Sequence, residues 1–135
     1  MNLAFFIHKD SSKKGVTFKQ IMNKNFKKSE IEIFQAFHKF KLKLEEVADY
    51  NNEIFILFAD SKKRLDRLIN LLDLFENRRV ILILPDDSQD TITTAHQISP
   101  RYFTFADNNY SDLCAVITKM MNKKNNISRG GNHGK

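Results

Sequence analysis

The segment IFILFADSKKRLDRLINLLDLFENRRVILIL, residues 54–84, holds two uninterrupted apolar runs, Ile54 to Ala59 and Val80 to Leu84. Between them the apolar residues fall at Leu65, Leu68, Ile69, Leu72 and Phe75. Short runs without polar alternation suit strands covered on both faces. The three-and-four spacing that joins them is that of an amphipathic helix, with Asp60 or Ser61 as its cap and Asn77 as its stop. Strand, helix and strand in this order make the crossover unit of a parallel sheet. Val80 to Leu84, the most hydrophobic run of the chain, is expected at the centre of that sheet.

The same rhythm extends in both directions. Pro85 ends the central run, and Ser88 or Asp87 caps a short helix expected over Thr91 to Ile98. Pro100 precedes Tyr102 to Phe105, a shorter and more polar run that suits an edge strand, and Asn109 with Asp112 opens a last helix bearing Leu113, Val116, Ile117, Met120 and Met121. Toward the amino terminus, Leu3 to Ile7 reads as a buried strand followed by the polar stretch His8 to Gly15. Thr17 is the expected cap of a helix carrying Phe18, Ile21 and Met22. Ile31 to Phe34 reads as a short strand. Phe37, Phe40, Leu44 and Val47 recur at helical spacing, and a helix is preferred there over the strand that the alternation from Phe40 to Leu44 also permits. Five strands alternating with five helices predict a three-layer α/β/α sandwich, with a five-stranded parallel sheet of order 2-1-3-4-5, the flavodoxin-like arrangement. The expected organisation is one domain over residues 1–123 and a disordered tail over 124–135, where periodicity is lost.

A chain of 135 residues, with 41% hydrophobic residues and twelve Phe, is long enough to bury one substantial core without metal or disulfide staples. The single cysteine, Cys114, leaves no internal disulfide, and the apolar patch in Met1 to Ile7 is too short for a signal peptide or a membrane span. A cytoplasmic protein is expected. The formal charge of +6 is concentrated in the first third, with nine lysines from Lys13 to Lys43. Such a gradient attracts acidic partners, but without arginine forks or interleaved exposed aromatics it favours solvated helix faces over nucleic-acid binding.

In size and element order the chain resembles the receiver domains of bacterial response regulators over nearly its whole length. The resemblance implies an acidic pair after the first strand for Mg²⁺, a phosphoacceptor aspartate at the end of the third, a Ser or Thr after the fourth and a Lys-Pro after the fifth. All of these neutralise or accept one phosphoryl group. Here His8-Lys9 stands after the first strand with only Asp10 beyond, and Asp60 lies about two residues past the third. Pro85 follows the fourth strand, and Ala106-Asp107-Asn108 the fifth. The expectation is a receiver-like scaffold without receiver chemistry: a noncatalytic signalling or interaction module that is not phosphorylated on aspartate.

Asp10, Asp60, Asp86, Asp87 and Asp107 all follow strands, and loops at the carboxyl edge of such a sheet are where ligands bind. They are the weak candidates for a metal or small-ligand site, the basis of an alternative enzymatic reading. Helix caps and turns explain most of them equally well. His8, His38, His96 and His133 lack metal-ligand spacing, Cys114 has no histidine near it in sequence, and the loop from His8 to Gly15 has too little glycine for a phosphate or dinucleotide loop. No cofactor is expected. The resemblance implies pairing through the fourth helix, fifth strand and fifth helix, so a protein partner or homodimer is expected, with Tyr102 and Tyr110 as candidate interface residues.

Overall fold

A computed structural model describes the backbone of residues 1–130 and the side chains through Asn122. Five strands, β1 (Asn2–Ile7), β2 (Ile31–Phe34), β3 (Glu53–Phe58), β4 (Val80–Leu84) and β5 (Tyr102–Phe105), form one sheet of order β2-β1-β3-β4-β5. Every neighbouring pair is parallel. The flavodoxin-like arrangement is therefore present, with the three most apolar strands inside.

The period-two alternation divides the core. Ala4, Phe6, Phe55, Leu57, Leu82 and Leu84 point to one face, where helices α2 (Phe37–Leu44), α3 (Lys62–Ile69) and α4 (Gln89–His96) supply Phe40, Leu44, Leu65, Leu68 and Ala95. Leu3, Phe5, Ile7, Ile54, Ile56, Ile81 and Ile83 point to the other, against Phe18 and Met22 of α1 (Lys13–Asn25) and Leu113 and Ile117 of α5 (Ser111–Gly130). The three inner strands are covered on both faces, which is why their runs carry no polar alternation. Phe40 binds its half together, with ring centroids 5.1 Å from Phe6 and 6.1 Å from Phe55.

The helix boundaries differ from expectation where local chemistry overrides spacing. Ser12, not Thr17, caps α1, accepting from the Lys14 N–H at 3.3 Å, so the helix begins inside the stretch read as loop. Gly15 gave that stretch its loop character, but it stands where α1 passes against Ser11, and an added Cβ would lie 2.6 Å from Ser11 Cβ. Ser61 caps α3 and Ser88 caps α4, each accepting from the N–H three residues on. Helix α4 thus starts two residues before Thr91 and ends at His96. The apolar series of α2 and α3 overrun their helices: Val47, beyond the end of α2, is 94% exposed, and Leu72, in a 3-10 turn after α3, is exposed while Leu71 is buried. Asn77, the expected stop, takes a left-handed φ of 64°. The backbone of α5 continues to Gly130, into the segment expected as a tail, and residues 131–135 of that expectation lie outside those described.

The amino edge of the sheet is pinned by a buried charge network. Glu53, 8% exposed at the start of β3, receives Arg78 Nη1 at 3.2 Å on Oε1 and Lys43 Nζ at 3.0 Å on Oε2. Arg78 Nη2 also donates to the carbonyls of Leu44 at 2.9 Å and Glu46 at 2.6 Å. The end of α2 and the start of β3 are thereby joined to the start of β4. Burial opposes the charge on Lys43, but hydrogen bonds to Glu53 and Glu46 outweigh it and raise its pKa.

Candidate functional site

The carboxyl edge is built by the loops that leave β1, β3, β4 and β5 and enter capped helices. Its least exposed charged feature is a polar group of His8, Asp60 and Arg64. The Arg64 Nε donates to Asp60 Oδ1 at 3.0 Å, with the two side chains only 17% and 13% exposed. Residue 60 leaves β3 and residue 64 lies in the first turn of α3, so the pair closes over the Ser61 cap. His8, 14% exposed, packs its ring edge-on to Phe6 and accepts the Asp10 N–H on Nδ1 at 3.0 Å. An accepting Nδ1 carries no proton. Burial and then the Arg64 charge lower the His8 pKa, against the opposing pull of Asp10 and Asp60, which holds the imidazole neutral.

The five candidate aspartates do not converge. Asp10 is solvent-exposed, with Oδ2 3.8 Å from His8 Nδ1, and Asp60 is engaged by Arg64. Asp86 folds back to accept the Ser88 N–H at 3.0 Å, and hydrogen bonding from the Thr91 hydroxyl and Ser88 holds its carboxyl below the usual range. Asp87 is exposed on the same turn. Asp107, after β5, meets Lys14 Nζ of the first turn of α1 at 3.6 Å, with both side chains largely in solvent. Among the described residues no group of three or more His, Cys, Asp or Glu is placed to hold a metal ion.

Beside this edge, Thr104, Asn108, Asn109, Tyr110, Asp112 and Leu113 line a half-open depression of about 250 Å³. That is smaller than the cavities of roughly 300–1,000 Å³ that enclose organic ligands, and its lining is polar. Tyr110 is part of the core, which leaves little of its ring for an interface. It is 4% exposed, its ring lies 5.0 Å from Phe18, and its hydroxyl donates to the Ala106 carbonyl at 2.7 Å. Burial, then Asp107, push its pKa up to about 12. The left-handed φ of 67° at Tyr110 turns the chain inward before α5, which spacing alone does not announce. Tyr102, on β5, is half-buried against the α1/α5 face. Cys114 is also half-buried, and burial raises its thiol pKa, which disfavours the thiolate.

Arg64 is the residue of this edge that spacing had left unassigned. The signal was present as an acid and a base four residues apart across a helix start, a common pairing distance. No helix among the described residues is long and apolar enough to cross a membrane. Scanned against protein-family models, the chain matches none, and it matches neither a curated protein nor a solved structure.

Proposed function

We propose that this protein is a noncatalytic, receiver-like interaction module of the cytoplasm, which uses the scaffold of a phosphoacceptor domain without its phosphoryl chemistry. The observation that carries this reading is the Asp60–Arg64 pair beside a neutral His8. Asp60 is the carboxylate nearest the place where the resemblance puts a phosphoacceptor. A nucleophilic aspartate needs a free oxygen and a metal ion to screen the incoming phosphoryl charge. Asp60 has Oδ1 paired with a guanidinium and not with a metal ion, and His8 and Lys9 stand where the resemblance puts the metal-binding acids, so the ion that the step needs has no acidic pair to hold it. The polarity across the edge is also reversed. The resemblance implies acids after β1 and a lysine after β5, whereas here Lys14, in the first turn of α1, meets Asp107, which follows β5, at 3.6 Å.

A scaffold without this chemistry acts through a surface. The resemblance favours α4, β5 and α5, where β5 leaves one edge unpaired and Tyr102, Phe103 and Phe105 are partly exposed. Intact-mass measurement after acetyl phosphate and Mg²⁺ is expected to give no adduct. Light scattering across concentrations is expected to give a dimer that Tyr102→Ala weakens. A phosphoryl adduct abolished by Asp60→Asn refutes the noncatalytic reading, and a dimer indifferent to Tyr102→Ala removes β5 from the interface.

A further inference from the structure

The opposite, amino edge of the sheet holds charges that neither the fold nor the proposed function uses. Arg78 and Arg79 immediately precede β4, and Arg101 immediately precedes β5. Arg78 is fully engaged by Glu53 and two carbonyls. Arg79 is not. The residue is 9% exposed, its Nε is buried with no hydrogen-bond partner, and Nη2 reaches only the Met1 sulfur at 3.5 Å. A thioether is a weak acceptor, so the buried Nε edge of this guanidinium is desolvated without an adequate partner.

Tyr50 brings a second cation to the same place. The Arg79 guanidinium carbon lies 5.3 Å from the Tyr50 ring centroid, and that of Arg101 lies 5.6 Å from it. Two like charges therefore share one ring, whose quadrupole attracts each of them but neutralises neither. Glu53 is committed to Arg78 and Lys43, and Asp49 accepts the Asn52 side-chain amide at 3.0 and 3.1 Å. Among the described residues no carboxylate forms an ion pair with Arg79 or Arg101.

We propose that Arg79, Arg101 and Tyr50 form a binding site for a phosphate-type dianion at the amino edge of the sheet. A dianion matches the two unpaired guanidinium charges. The planar donor fork of arginine fits a tetrahedral oxyanion in two-point contact, and Tyr50 supplies a wall that keeps both forks oriented. No helix N-terminus is needed, since the donors are side chains. Tyr50 lies in the connection between α2 and β3, so occupancy ties that connection to the starts of β4 and β5. The site lies across the sheet from Asp60 and stands whether or not the interaction-module reading holds.

The test is calorimetric titration of the full chain with inorganic phosphate at constant ionic strength, chloride being exchanged for phosphate, with acetate and a sugar phosphate as parallel arms. The expected result is saturable 1:1 binding of phosphate and sugar phosphate and none of acetate. Arg101→Gln, an exposed substitution that leaves the core intact, is expected to weaken binding about tenfold or more, as loss of a charge-assisted contact does. Arg79→Met is expected to abolish it, and Lys27→Gln with Lys28→Gln to leave it unchanged. Absence of saturable phosphate binding, equal binding of acetate, or binding that survives Arg101→Gln overturns the proposal.

Discussion

Replacing Glu53 with glutamine keeps the shape of the side chain and removes one charge from the buried network at the amino edge. Breaking a buried ion pair by removing one partner typically costs about 3–5 kcal/mol, because the remaining charge is left uncompensated. Arg78 is that charge here, with its side chain only 4% exposed. Three features soften the loss. Arg78 keeps its bonds to the Leu44 and Glu46 carbonyls, the glutamine oxygen still accepts from Nη1, and Lys43 keeps Glu46 at 3.2 Å. The expected destabilisation is therefore about 2–3 kcal/mol, which for a domain of this size lowers Tm by roughly 6–12 °C. The assay is thermal and urea unfolding followed by circular dichroism, with Arg78→Met and the double variant completing a cycle. The double variant is expected to lose less than the two single losses added together, since each single change strands the other charge. The loss is expected to persist in high salt, because the pair is shielded from counterions. A Glu53→Gln protein melting within a degree of the parent, or strictly additive single losses, refutes the reasoning.

Other outcomes follow from the carboxyl edge. The native His8 pKa lies below its ordinary value of 6.5, so the unfolded chain binds this proton first. Stability is therefore expected to fall as pH drops from about 7 toward the lowered native value, and His8→Asn, whose Oδ1 replaces the accepting Nδ1, is expected to flatten that slope in unfolding titrations. Tyr110 is expected to titrate at about 12 by ultraviolet absorbance. Because the unfolded chain ionises this phenol first, stability falls as pH rises above 10, and Tyr110→Phe removes that contribution while costing about 1 kcal/mol for the lost hydrogen bond. Gly15→Ala drives a Cβ into the Ser11 hydroxyl and to 2.6 Å from Ser11 Cβ, and is expected to cost about 1–2 kcal/mol despite better helix propensity. Adding Ser11→Gly removes both close atoms and leaves the next, on Phe58, at 3.5 Å, an ordinary contact, and is expected to restore most of the loss in the same melts.

The architecture was legible in the sequence because a strand covered on both faces must be apolar at every position, and a helix covered on one must be apolar at every third or fourth. Val80 to Leu84, with all five residues buried, has to lie inside the sheet, though β3 and not β4 takes the central place, and Tyr102 to Phe105, shorter and partly polar, has to be at an edge. Ser61 and Ser88 were legible as caps only as one of two candidates each, beside Asp60 and Asp87, because the apolar spacing that follows them marks a helix. Ser12 was hidden because the charged first turn of α1 and Gly15 look like loop, and only the approach of Ser11 and Phe58 gives that glycine its reason. Val47 and Leu72 kept the spacing of their helices but not their burial, since tertiary packing ended each helix before they were reached. The charged groups were the least legible. Asp60 reads from spacing as a cap or a ligand, and becomes a closed ion pair only because α3 turns Arg64 back over it. Arg79 and Arg101, 22 positions apart in the chain, share the Tyr50 ring only because β4 and β5 start side by side at one edge. A residue's own chemistry and its neighbours in sequence determine which element it joins, whereas the partners of a long charged side chain depend on which elements the sheet order makes adjacent.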